Sequence, residues 1–157
     1  MPTITELKDK TNTKTLNLVL LSIATGGIYP LLWMYRNSPT IESITKTKIG
    51  GDTFIIWLAV CVGLSSALVN MEVEVLDIIA GLLSIGSIVL YIVWAFKAKT
   101  ALQSYALNEH KVDLRMNAFY TFIFTLYYIN YCINDLPEAK RKQEILTGQT
   151  VATPDSQ

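Results

Sequence analysis

Apolar residues fall into four long runs separated by polar stretches, and this alternation is the strongest pattern in the chain. The runs cover 16–35, 53–69, 76–96 and 117–134, between a polar segment 1–15 and a charged tail 135–157. A helix needs about 20 apolar residues to cross a bilayer core of about 30 Å. The third run reaches that length with one ionisable residue, Asp77, at its edge; the second is shorter but uncharged. The link 70–75 between them is short and acidic, so the two must run antiparallel. The expected fold is all-α: a polytopic membrane domain over 16–134, with four hydrophobic helices and a central transmembrane hairpin.

The first run carries its own interruption. Gly26-Gly27 permits left-handed backbone and weakens a helix, and Pro30 removes a donor and clashes with the preceding turn. Each half would rise about 15 Å as helix, which suits a re-entrant hairpin with its turn buried against protein over a kinked full span. A cleavable signal peptide ending near Ala24-Thr25-Gly26 fits less well, because the apolar run continues to Trp33. The fourth run shows no comparable break before Pro137, where Asp135 is expected to cap a short charged helix to about Leu146, ended by Gly148 and a disordered tail. Ser38-Pro39 predicts an N-cap and first helical position for a short helix on the membrane surface, with Ile41, Ile44 and Ile49 on one face. The third run is expected to continue as helix to about Asn108, with Leu102, Tyr105 and Ala106 near one stripe.

Charge turns this pattern into a topology. All 13 Lys and Arg residues lie outside the hydrophobic runs. If the first and fourth runs turn back, all 13 face one side; if they cross, the split is seven against six. Basic residues collect in cytoplasmic loops, so the count favours turning back, with 36–52 and 97–116 cytoplasmic and 70–75 periplasmic. Trp33-Met34-Tyr35-Arg36 and Trp94-Ala95-Phe96-Lys97 share one pattern, read as an interfacial anchor with rings at headgroup depth.

Composition agrees. The chain has 157 residues, 51% hydrophobic and 17% charged, too apolar for an ordinary soluble domain and enough for one domain only. Net charge is zero, which gives no reason to expect nucleic-acid binding. Cys61 and Cys132 form neither a disulfide framework nor a zinc spacing, and no cofactor or metal is expected. The single histidine, His110, sits in a charged loop and reads as solvated. No nucleophile, base and orienter lie near one another, so no enzyme is expected; a lipid enzyme would have to rely on His110 or Asp77.

Two patterns suggest contact instead. Ala59, Gly63 and Ala67 are spaced by four on the second run, and Ala80 and Ser84 likewise on the third. Such faces let helix backbones approach closely, within the hairpin or between copies. The fourth run holds seven of the 16 aromatics, counting Phe119, Tyr120, Phe122, Phe124, Tyr127, Tyr128 and Tyr131. Tyr120, Tyr127, Tyr131 and Asn134 recur as one polar-tipped stripe, and buried tyrosine hydroxyls need partners. The stripe reads as an interfacial helix or as a seam facing a partner, a ligand or the first run.

Thr25, Gly27, Ile28 and Tyr29, followed by Trp33, Tyr35 and Arg36, resemble a bacterial membrane family, the domain-of-unknown-function 4234 family. Its hallmark is a Thr-x-Gly-Ile-Tyr turn, then Trp and an aromatic before a cation. Tyr128, Tyr131 and Asn134 resemble the family's closing pattern, while Pro30 departs from the small or apolar residue expected after the tyrosine. The resemblance implies a bacterial inner-membrane protein and brings no activity. The expected function is therefore a non-enzymatic interaction, accessory or assembly subunit, a homo-oligomer or partner of another membrane protein in the lipid bilayer. The alternative is an oligomeric small channel or transporter component, its path lined by the broken first segment.

Overall fold

The computed structural model describes residues 3–71, 73–146 and 148. All regular structure among them is helical: α1 (Glu6–Thr11), α2 (Thr15–Ala24), α3 (Ile28–Thr45), α4 (Gly51–Leu68), α5 (Glu74–His110) and α6 (Ala118–Leu146), with a 3-10 turn at Val69–Met71. The expected disordered tail falls on 149–157, outside the described residues, as does Glu72 of the acidic link.

Burial divides the molecule into two halves. α4 and an 18-residue window of α5 are long and apolar enough to cross a membrane, with mean hydropathy 1.7 and 2.3, yet only 17% and 22% of them are buried in the protein. Ile56, Trp57, Leu64, Ile78, Leu82 and Ile85 all remain exposed along them. The core lies past the apolar stretch. Before Trp94, α5 buries only Ala80 and Ser87; from Trp94 onward it buries Ala95, Ala98, Ala101, Leu102, Tyr105 and Ala106 as well. The alanines let neighbours approach, and Leu7 of α1, Met34 and Ile41 of α3, and Ile129, Ile133 and Leu136 of α6 fill the space around them. At 37 residues, α5 is about 55 Å long, so it outruns a bilayer core and reaches through this packed end. Its continuation past Lys97 is as expected and ends at His110 rather than near Asn108.

Several local expectations are corrected. Pro30 does not interrupt a helix; it sits in the first turn of α3, where its missing N–H has no intrahelical partner to lose. Ser38-Pro39 does not start a new helix, because α3 runs unbroken through Pro39. Met34, Asn37, Ser38, Ile41, Ile44 and Thr45 are all buried, one stripe whose packing outweighs the donor lost at Pro39. Ile41, Ile44 and Ile49 accordingly lie in the protein core. The same holds at the other end, where α6 continues through Pro137 with Leu136 fully buried, so Asp135 caps nothing. The fourth run, expected to be unbroken, breaks at Thr125 (φ 41, ψ −115).

The paired tryptophans point inward. Trp33 and Trp94 are 2% and 0% exposed, meet edge to face at 6.2 Å, and Trp94 Nε1 donates to Ser38 Oγ at 3.1 Å. The next aromatic in each pattern, Tyr35 or Phe96, faces outward instead. Burial of the indole between α3 and α5 turns it away from any headgroup and makes it a clamp between helices.

Glu42 organises the turn into α4. Its Oε1 accepts the backbone amides of Ile49, Gly50 and Gly51 at 2.8, 2.9 and 3.1 Å, standing in for an N-cap on amides that have no intrahelical acceptor. Partial burial pushes the carboxyl up, but the amides of Gly50, Ile49 and Gly51, with Lys48, outweigh it and hold the group below the usual carboxylate range. A carboxyl depressed by folding stabilises fully above its ordinary pKa of 4.5 and loses that contribution as pH falls through the lowered folded value. Glu42→Ala is expected to cost about 2 kcal/mol at neutral pH and to flatten the acid limb of the stability curve. Thermal unfolding in detergent across stepwise acidification reads both; an alanine variant with the native acid limb would exclude Glu42 as its source.

Candidate functional site

The two broken segments converge. At the first break, α2 ends in a Schellman motif: the Gly27 amide bonds Ser22 O at 2.8 Å and the Gly26 amide bonds Ile23 O at 3.2 Å. Gly26 and Gly27 take φ +59 and +89, which side chains with a Cβ resist. Thr25 closes the other side. Its Oγ1 donates to Leu21 O at 2.7 Å and accepts the Tyr29 amide at 2.9 Å, ending α2 and capping α3 with one hydroxyl. α1, just before α2, packs on α3, so the chain has folded back into a hairpin. Within the Thr-x-Gly-Ile-Tyr motif, Thr25 and Gly27 thus make the turn, Tyr29 supplies the capped amide, and Ile28 faces outward at 60% exposure.

The second break folds α6 on itself. The Asn117 amide donates to the Tyr128 hydroxyl at 3.0 Å, and the Tyr120 and Tyr128 rings lie 5.8 Å apart. In a straight helix those pairs would be separated by about 16 Å and about 12 Å of rise. Thr125 is β-branched with positive φ, a rare state that costs about 1–3 kcal/mol and is held by its surroundings.

Between the tips lies a cavity of about 540 Å³, lined by Gly26, Gly27 and Pro30, by Phe122, Thr125 and Tyr127, and by Val62, Ile88 and Tyr91 of α4 and α5, with no Asp, Glu, Lys, Arg or His among its lining residues. Both breaks therefore reach partway along the apolar stretches of α4 and α5.

Asparagines tie the second hairpin to the first. Asn130, fully buried, donates to Thr13 O at 3.0 Å and to Thr15 Oγ1 at 3.1 Å. Asn134 donates to the same Thr13 carbonyl at 2.9 Å. Tyr120, Tyr127, Tyr128 and Tyr131 line a groove with Thr15 and Val19 of α2, so the tyrosine–asparagine face meets the first segment. The break at Thr125 splits the stripe read along a continuous helix, leaving Tyr120 on one arm and Tyr127, Tyr131 and Asn134 on the other.

The small residues are placed unequally. Ala80 is buried and Ser84 half-buried on α5, whereas Ala59, Gly63 and Ala67 are exposed on α4. A Cβ built on Gly63 would meet nothing within 4 Å. Arg36 is exposed. His110 is not a free loop residue: it ends α5 with Nε2 2.9 Å from the Tyr105 hydroxyl, and burial together with Lys140 lowers its pKa against the opposing pull of Glu109.

The family model for the domain of unknown function (DUF4234) matches residues 13–104. The chain belongs to that family. No match was found among curated proteins or among solved structures. The DUF4234 match begins at Thr13 and ends at Ser104, so it takes in the first hairpin, α4 and most of α5. Sequence reasoning found the glycine break of that hairpin but missed Thr13, Asn130 and Thr125. Asn130 sits in phase with Leu126, Ile129 and Ile133, which was a usable signal; Thr125 offered none, having neither glycine nor proline beside it.

Proposed function

We propose that this protein is a non-enzymatic accessory or assembly subunit of a bacterial inner membrane, multi-pass through α4 and α5. The two hairpins enter from the cytoplasmic side without crossing, with 36–52 and 97–116 cytoplasmic and 70–75 periplasmic. One observation carries the reading: the turn at Thr25–Gly26–Gly27 pairs its own amides, from Thr25 through Tyr29, while Ile23, Ile28 and Leu32 around it are exposed. Gly26 and Gly27 are exposed and not buried against protein as expected, so the paired amides are what lowers the cost of a non-helical turn at membrane depth. The exposed Ala59, Gly63 and Ala67 face supports close approach of a second copy or another membrane helix. In the channel reading the cavity between the tips would be the path, but its lining lacks charge.

Two measurements test this. Single cysteines at Lys10, Arg141 and Met71, with Cys61 and Cys132 replaced by alanine, are expected to label from the cytoplasm at the first two positions and from the opposite face at Met71. Lys10 or Arg141 labelling with Met71 would overturn the arrangement. The mass of particles cut from native membrane with a copolymer is expected to exceed one chain; single chains in every preparation would remove the assembly role.

A further inference from the structure

Helices are unevenly divided across the membrane thickness. The tips at Gly26–Gly27 and Thr125 meet α4 at Val62 and α5 at Ile88 and Tyr91. Beyond that level α4 and α5 stand alone among the described residues, with Leu64, Ile78, Leu82 and Ile85 exposed on them. On the other side of it stand α2, the first turns of α3 and both arms of α6 as well, each helix about 10 Å across. Leu20, Ile23, Leu32, Phe119, Phe122 and Phe124 on these arms are exposed apolar side chains, so the arms displace acyl chains and do not merely rest among headgroups.

We infer that the protein is a one-leaflet wedge that senses and generates membrane curvature, its partner being the bilayer itself with the cytoplasmic face convex. The inference rests on the membrane arrangement proposed above. Extra cross-section in one leaflet is accommodated most easily where that leaflet is expanded, and insertion confined to one leaflet is curvature-sensitive for this reason. The asymmetry is built into the fold by two turns that reverse the chain at the same depth.

The test uses the full-length chain in giant vesicles of phosphatidylethanolamine with a minor share of phosphatidylglycerol. A membrane tube drawn outward expands the outer leaflet. Protein with its 97–116 side outward is expected to have a tube-to-flat density ratio above one, and protein in the reverse orientation a ratio below one. Equal ratios in the two orientations overturn the wedge. Ile23→Lys with Phe122→Lys, both on exposed tip positions, is expected to draw the ratio towards one while α4 and α5 remain inserted; undiminished sorting in that variant also overturns it. Cysteine labelling separates the failures. If Lys10 or Arg141 labels with Met71, the membrane arrangement fails and the wedge with it. If labelling stands and sorting is orientation-independent, the wedge alone fails.

Discussion

Replacing both Gly26 and Gly27 with leucine is expected to destabilise the first hairpin by about 2–4 kcal/mol, from about 1–2 kcal/mol for each side chain forced into left-handed backbone. There is open space around both glycines, so no clash contributes and the effect isolates backbone strain. The competing state is a continuous helix from α2 into α3. Leucine favours that state by close to a further 1 kcal/mol per site relative to glycine. Such a helix would span the membrane, and part of the population is expected to carry Lys10 to the Met71 face. Cysteine labelling at Lys10 reads the relocation, and unchanged labelling with unchanged unfolding temperature would show that the turn does not depend on glycine.

The second large effect is expected at Trp94. The side chain is fully buried, edge-to-face with Trp33 and bonded to Ser38. Trp94→Ala removes a large core side chain, a change that costs about 3–5 kcal/mol, and leaves the buried Ser38 hydroxyl without its donor. Trp94→Phe keeps most of the ring and is expected to cost about 1–2 kcal/mol, mainly the lost hydrogen bond. Thermal unfolding of both in detergent measures the difference. An interfacial anchor facing headgroups would give a small change for alanine as well, so equal and small shifts would refute the clamp between α3 and α5.

These tryptophans also show where sequence stops being informative. A tryptophan two residues before an aromatic and three before a cation reads as the interfacial end of a membrane helix, yet both indoles are buried in the protein. Whether the indole N–H meets a headgroup or Ser38 depends on a contact 56 residues away, which no local pattern contains. The apolar stretches of α4 and α5 were legible because the capacity to cross a bilayer needs only length and lack of charge. The Gly26-Gly27 break was legible because glycine declares its backbone preference. Pro39 and Pro137 misled for the opposite reason: proline weakens a helix locally, but a buried stripe such as Met34, Ser38 and Ile41 holds it together through packing. That stripe keeps helical phase across Pro39 and was readable in retrospect. The reversal at Thr125 was not, since a threonine takes positive φ only when surrounding structure demands it.

The length of α5 has a mechanical consequence. One uninterrupted helix joins the apolar stretch to the packed end, and about 24 Å of it extends past Trp94. Spans adjust their tilt when bilayer thickness changes. A tilt of about 10° would swing the far end of that extension by about 4 Å, a displacement comparable to a side chain's reach. In the membrane arrangement proposed above, the core around Leu102 and Tyr105 is fixed to a lever whose other arm would lie in lipid, so that membrane thickness would act as a force on its packing.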